Sequence, residues 1–437
     1  MRFRSWLAIS STTRHSTVPF SNPETSPSRA KLKPSDTSSS SDTPSTSTSA
    51  SDNGSSSLQS NLSLQTLPSV LSLQKLSPLD PLDLSVSHLC FATLPPRRPS
   101  LPITCLAVHH NLLYAASGHE INVYDRTDHT LLDSFNAHDA SSGSVKSVNF
   151  SDGNIFTSHQ DSKIRVWQLT AGKQHKLFNS LPTVNDRLRR FVLPKNYVTV
   201  RRHKKCLWIQ HADAVTGIAV NNGLIYSVSW DKSLKIWRDS DLRCVESVKA
   251  HEDAVNAVVV SNDGTVYTGS ADCRIRVWSK PFGEKRHVLV ATLEKHKSAV
   301  NALAINDDGS VLFSGACDRS ILVWEREDSA NHMAVTGALR GHRKAILCMI
   351  NVGDLLFSGS ADRTVRVWQR GEDGSFCCLA VLEGHVKPVK SLVAVKEEQS
   401  NGVVTVYSGS LDGEVKVWHV SVSNVNSTPG PLSQLKM

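Results

Sequence analysis

Tyr226-Ser-Val-Ser-Trp-Asp231-Lys-Ser-Leu-Lys-Ile-Trp237 decides the fold, because the chain keeps returning to its spacing. The same cadence runs from Tyr267 through Asp272 to Trp278, from Phe313 through Asp318 to Trp324, and from Phe357 through Asp362 to Trp368. It recurs from Tyr407 through Asp412 to Trp418, and an earlier copy runs from Phe156 through Asp161 to Trp167. In all six, an Asp stands six residues before a Trp, and a Ser or Thr stands four residues before the Asp. Self-similarity of this kind marks a repeat architecture.

Each unit has the same internal order. An apolar, β-branched run such as Val255-Asn-Ala-Val-Val-Val260 opens it, and a turn such as Ser261-Asn-Asp-Gly264 follows. Then come the aromatic-Ser/Thr strand, a tight turn at the Asp, and an alternating strand ending in Trp. A short fourth run, for example Cys244-Val-Glu-Ser-Val248, closes the unit. Runs of this length between Gly, Asn, Asp and Ser clusters predict strands joined by hairpins. Four antiparallel strands every ~40–45 residues predict a propeller blade. A degenerate seventh copy, Leu113 to Tyr124, has Tyr in place of Trp and His119 where the Asp is expected. The expected fold is therefore all-β, a seven-bladed β-propeller over residues 85–421. Leu89-Cys-Phe-Ala-Thr-Leu94 is similar to the fourth-strand run Leu289-Val-Ala-Thr-Leu293. The N-terminal strand is thus predicted to complete the last blade and leave no long open edge.

The pattern resembles the WD-repeat β-propellers. The resemblance implies a buried relay in each blade, joining a loop His, a strand Ser or Thr, the turn Asp and the strand Trp. The matching positions are His138, Thr157, Asp161 and Trp167; His211, Ser227, Asp231 and Trp237; and His251, Thr268, Asp272 and Trp278. They continue with His296, Ser314, Asp318 and Trp324; His342, Ser358, Asp362 and Trp368; and His385, Ser408, Asp412 and Trp418. A carboxylate buried between blades is tolerable only with its acceptor positions filled, so a complete relay locks a blade into one geometry. No Trp in these repeats is followed by Asp; the next residues are Gln168, Arg238, Ser279, Glu325, Gln369 and His419. That departure leaves the fold intact but removes the Trp-Asp-x-Arg motif that a ubiquitin-ligase adaptor would use. The stretches Asn185-Asp-Arg-Leu-Arg-Arg190, Leu193–Lys205, Ala250–Ala257 and Glu325–His332 are similar to plant WD-repeat proteins of the JINGUBANG type. That resemblance implies a non-catalytic regulatory scaffold with a role in pollen germination.

Nine Cys occur without a Cys-x-x-Cys pair, and several fall at strand positions where a free thiol acts as a small hydrophobe. This points to a reducing compartment, cytoplasm and nucleus. No apolar run approaches the length that spans a bilayer. The Arg/Ser-rich N-terminus, with no acid before Glu24, leaves a plastid transit peptide as an alternative. Residues 1–84, rich in Ser, Thr and Pro, are expected to be disordered with a Leu-rich linker, and 422–437 to be a flexible tail. Ser26-Pro27, Thr43-Pro44 and Ser77-Pro78 are candidate phosphosites, and Leu82–Val86, with the leucines before it, a candidate linear motif or residues that pack on the propeller rim.

The net charge of +8 belongs to one element. From Trp167 to His211 the distance is 44 residues, against 14 to 18 in the corresponding gaps. Lys173–Lys205 holds ten Lys/Arg against Asp186 alone, and the rest of the chain is near neutral. Placed between the third and fourth strands, this insertion is expected at the bottom face of the propeller. Its flanks, Tyr197–Val200 and Cys206–Ile209, predict a hairpin with a basic tip of Arg201, Arg202, Lys204 and Lys205. Three readings fit it: contact with an acidic protein or the import machinery, non-specific nucleic-acid binding, or a solvated loop. Its apolar content is read as low.

An enzyme is not expected, since the His and Asp residues recur in six equivalent environments rather than in one constellation. No cofactor or metal is expected either. Function falls to surfaces, and family geometry places the second residue of each first strand on the top face: Thr104, Lys146, Thr216, Asn256, Asn301, Leu347 and Lys390. Trp230, the residue before a relay Asp, is the expected aromatic anchor there. The expected partners are other proteins, a transcription factor or an acidic segment, with a monomeric propeller and no membrane. Nucleic acid through the basic insertion and substrate presentation to a ubiquitin ligase are the alternatives.

Overall fold

The computed structural model describes residues 84–95, 101–172, 174–201, 204–327, 332–371, 374–397 and 402–424. Residues 1–83 and 425–437 and Arg202 lie outside the described residues. On them fall the readings of tail disorder, phosphorylation and targeting, and part of the basic tip.

Seven four-stranded antiparallel sheets form, each in simple sequential order but one. Blade 3 shows why. Its strands are Val215–Asn221, Leu224–Ser229, Ser233–Arg238 and Cys244–Lys249. Asn222 and Gly223 join the first two with φ of 49° and 69°, the left-handed pair that matches strand twist in a two-residue hairpin. The first strands of the blades neighbour one another in a closed ring: Ile103–His109, Val145–Ser151, Val215–Asn221, Val255–Val260, Val300–Ile305, Ile346–Val352 and Val389–Lys396. They surround the axis, and the fourth strands lie at the rim.

Blade 7 is the exception in order, because its outer strand comes from the start of the chain. Leu84–Leu94 pairs antiparallel with Val415–Asn424, from Leu84 against Asn424 to Leu94 against Val415, with a bulge between Cys90 and Ala92. The latch strand begins five residues before the expected Leu89, and its partner strand runs past the expected end of the propeller. Val420 is buried and Val422 packs on the core, so strand alternation continues to Asn424, past the expected boundary at 421. Val86, weighed above as part of a linear motif, packs against the cluster between blades 6 and 7.

The core lies between blades. Each of seven apolar clusters straddles one boundary, as where Phe357, Val367 and Leu382 of blade 6 meet Val389, Leu392 and Trp418 of blade 7. The aromatic that opens each repeat, such as Tyr226, Tyr267 or Phe313, is buried in these seams. The Gly that follows Ser in several repeats has a packing cause. A Cβ on Gly315 would stand 2.5 Å from Ile346 Cγ2 of the next blade, so the blades could not close.

Candidate functional site

Five blades, the third to the seventh, are keyed at one end by a complete relay. In blade 3 the Trp237 indole donates to Ser227 Oγ (2.9 Å), Ser227 Oγ lies 2.8 Å from His211 Nε2, and His211 Nδ1 lies 3.0 Å from Asp231 Oδ2. An ionised carboxylate only accepts, so Nδ1 carries the proton and Nε2 takes the Ser hydroxyl. The carboxylate also accepts the backbone N–H of Ala212 and Ser233. Burial alone would raise the Asp231 pKa; the imidazole and these donors outweigh it and hold it below the carboxylate range. The same chain joins His251, Thr268, Asp272 and Trp278, and likewise His296, Ser314, Asp318 and Trp324. His342, Ser358, Asp362 and Trp368 repeat it, as do His385, Ser408, Asp412 and Trp418, where the His–Asp distance is 3.3 Å.

Blade 2 departs from this. His138, assigned above to its relay, is exposed and does not enter it. The imidazole comes instead from the strand itself: His159 Nε2 is 2.8 Å from Thr157 Oγ1, which accepts the Trp167 indole N–H at 2.8 Å. Asp161 is left to Arg165, at 2.9 Å, and the same guanidinium reaches Asp139 at 2.6 Å. His159 is fully buried, and its Nδ1 has no partner among the described residues. Burial, and then the charge of Arg165, push its pKa down to about 3. The signal was present in the sequence. His159 stands where Ser229, Ser270, Ser360 and Ser410 stand in other repeats.

The seven expected top-face residues share a property that spacing did not show. Thr104, Lys146, Thr216, Asn256, Asn301, Leu347 and Lys390 each sit where the register shifts between the first and second strands of their blade. A bulged residue is unpaired and re-aims its side chain. On one side of the ring those side chains are committed internally. Thr216 donates to Val255 O (2.7 Å), Asn256 to Val300 O (2.9 Å) and Asn301 to Ile346 O (2.9 Å), each tying its blade to the next. Thr104 donates within its own blade, to Ala116 O. Among the described residues, Lys146 and Lys390 make no such tie. Burial, then Lys390, pushes the Lys146 pKa down to about 8, and burial lowers that of Lys390 too. Lys146 Nζ lies 5.7 Å from the centre of the half-buried Trp230 ring, within cation–π range.

The insertion is not where the sequence reading put it. The fourth strand of blade 2, His175–Leu181, precedes most of it, so the extra chain lies between that strand and the first strand of blade 3. In an antiparallel blade that connection falls at the same end as the turn between the second and third strands. The insertion therefore shares the Trp230 end and does not occupy the opposite face. The gap between Trp167 and His211 does not say on which side of the fourth strand the extra residues fall.

The insertion is built as a unit. A short helix, Val184–Arg190, begins at Thr183, whose side chain accepts the Asp186 N–H. Tyr197–Arg201 and Lys204–Leu207 form the hairpin with the basic tip. Leu207 and Ile209 root it in the cluster between blades 2 and 3. Val198, Val200, Cys206 and Trp208 line a groove of about 1080 Å³ together with Trp230 and Val245–Lys249 of the rim strand of blade 3. The low apolar content expected of this element is also corrected. Val184, Leu188, Phe191, Val192, Leu193, Tyr197 and Val198 are all exposed large hydrophobics.

One group of metal-type ligands occurs among the described residues: His385, Asp412 and Glu414. It is the blade 7 relay with one carboxylate added. Asp412 already accepts His385, Val386 N and Glu414 N, and Glu414 pairs with Lys416 at 3.4 Å. No helix is long and apolar enough to cross a membrane among the described residues.

The WD40 repeat pattern (WD domain, G-beta repeat) matches residues 129–168, 204–238, 242–279, 287–325, 334–369 and 376–419, just over half of the chain. The chain belongs to the WD40-repeat family. Among curated relatives it is 24% identical over 184 residues to Autophagy-related protein 16 of Arabidopsis thaliana, covering 37% of this chain and 36% of that protein. It is 31% identical over 74 residues to an uncharacterized WD repeat-containing protein of Schizosaccharomyces pombe, covering 16% of this chain and 14% of that one. To Mitochondrial division protein 1 of Pyricularia oryzae it is 33% identical over 79 residues, 18% of this chain and 11% of that one. The chain thus spans little more than a third of the length of these relatives at most. As in WD40 propellers generally, the built surface is suited to binding other proteins.

Proposed function

We propose that this protein is a non-catalytic scaffold in cytoplasm and nucleus that docks an acidic segment of a partner protein, such as a transcription factor, at the Trp230 end. The observation that carries this reading is the meeting of three features there. A half-buried indole sits under a lysine with no carboxylate partner among the described residues, it lines a groove of about 1080 Å³, and the basic hairpin lines the same groove. An aromatic beside a desolvated cleft is the usual anchor of a protein interface, and surrounding positive charge sets salt sensitivity. Trp230→Ala should weaken partner capture by roughly 30-fold, equivalent to about 2 kcal/mol. Phe282→Ala, at an exposed aromatic elsewhere, should leave capture unchanged. Equal capture by both variants would remove the Trp230 anchor from consideration.

A role in developmental regulation, pollen germination included, extends this reading through the JINGUBANG-type stretches alone. Loss of the gene with no effect on pollen would end that extension and leave the scaffold reading standing. The charge of Lys173–Lys205 supports a second reading, nucleic-acid association. A steep fall of DNA or RNA binding with salt that disappears on neutralising Lys195 and Lys205 is its expected signature.

A further inference from the structure

The helix Val184–Arg190 is turned inside out for a surface helix. Its polar anchor faces the propeller and its apolar stripe faces outward. Asp186 is buried, Arg190 Nε bonds its carboxylate at 2.9 Å, and the Arg190 guanidinium stacks 4.6 Å from the Trp208 ring. Asn196 caps Arg190 O at 2.8 Å, Tyr197 donates to Phe191 O at 3.0 Å, and Trp208 N bonds Asn196 O at 2.9 Å. With one face fixed in this way, Val184, Leu188 and Phe191 align outward at helical spacing. Val192 and Leu193 continue the run, and the five are between 46% and 68% exposed. An apolar patch held open by its own anchor calls for an occupant.

We propose that the tip Val184–Lys195 is a peripheral contact site for an anionic lipid surface. Phe191, Leu188 and Leu193 enter the boundary between headgroups and acyl chains, while Arg189 and Lys195 lie at the headgroup phosphates. Two observations select lipid over a protein partner. Phe191, Val192, Leu193, Pro194 and Lys195 are all exposed in succession, so their side chains leave the chain in several directions. A fluid interface receives such a convex tip, whereas a folded partner would need to wrap it. Exposed Arg and Lys alternate with the apolar side chains within an insertion that carries the charge of the whole chain, the composition that binds anionic interfaces. The expectation of no membrane rested on the lack of a spanning run, which does not bear on a peripheral contact. This proposal is independent of the Trp230 reading.

The test is co-sedimentation of the full chain with vesicles of phosphatidylcholine alone and of phosphatidylcholine mixed with phosphatidylserine. Binding should rise about tenfold or more with the anionic lipid and fall with added salt. The triple variant Leu188→Ser, Phe191→Ser, Leu193→Ser should lose binding at unchanged charge, and Arg189→Glu with Lys195→Glu should lose it at unchanged apolarity. Phe282→Ser, remote on blade 4, should bind like the parent. All the substituted side chains are exposed, so unfolding midpoints should match and exclude misfolding. Absence of binding to anionic vesicles overturns the proposal, as does binding that survives the triple variant. Capture of polyglutamate in place of vesicles, lost in the same variants, also overturns it and assigns the tip to an acidic polypeptide.

Discussion

Asp272→Ala tests whether the relay is a structural lock. The carboxylate accepts His251 Nδ1 at 3.0 Å and the backbone N–H groups of Glu252 and Arg274, each at 3.1 Å. The Asp272 side chain is only 9% exposed and His251 not at all, so water replaces little of what is lost. Three donors stranded in a buried seam cost about 1–3 kcal/mol each in principle. Relaxation and partial rehydration of the two backbone groups at the turn bring the expected loss to about 2–4 kcal/mol. For a propeller of this size the unfolding entropy is about 0.7 kcal/mol per degree, so the midpoint should fall by roughly 3–6 °C in calorimetry. Asp161→Ala is the internal control. That carboxylate takes no imidazole, and its principal partner Arg165 keeps Asp139 when it is gone, so the loss should be about 1 kcal/mol. If the two substitutions lower the midpoint equally, the His–Asp step is not what locks a blade.

Two further outcomes follow from the same geometry. Removing residues 1–83 should leave a cooperatively unfolding propeller, whereas removal through residue 94 takes the rim strand off blade 7 and should destabilise it; equal calorimetric midpoints would refute the latch. His159, with its pKa pushed down to about 3, binds its proton less readily folded than unfolded. Stability should therefore fall as pH drops from about 6.5 towards 3, by up to about 1.4 kcal/mol per pH unit from this group. His159→Gln should flatten the slope of denaturant stability against pH in that window by about one proton, and an unchanged slope would refute the assignment.

The fold was legible because Asp and Trp stand six residues apart in six of the seven repeats, an acidic turn followed by a strand whose indole needs an acceptor. The latch was legible for a related reason. The last blade visibly lacked a fourth strand, and an alternating run lay unused at the other end. What escaped the sequence depends on relations between strands. His138 occupies the loop position that supplies the imidazole elsewhere, but which of His138 and His159 reaches Thr157 is settled by the path of the chain and the depth of the seam. The bulges at Lys146, Asn301 and their equivalents are register shifts, and register is a property of two strands. The side of the insertion could not be read because His175–Leu181 carries polar and charged residues on a rim strand that packs little, so it does not announce itself as a strand.

The corrected side of the insertion changes the functional argument. At the opposite face, the basic hairpin and Trp230 would have been rival sites, separable by mutating either. At the same end they are parts of one surface, since hairpin residues and Trp230 line the same groove. The bulge ring then has two unequal halves. Thr216, Asn256 and Asn301 bond across to the next blade and are not available, while Lys146 and Lys390 are half-buried, with burial lowering the pKa of each and no ion pair to either among the described residues. Two ammonium groups whose pKa values burial lowers, Lys146 further by Lys390, weaken the free protein, and a carboxylate brought by a partner would relieve that penalty. If the proposed acidic segment docks at this end, part of its affinity would come from relieving a cost that the empty state carries.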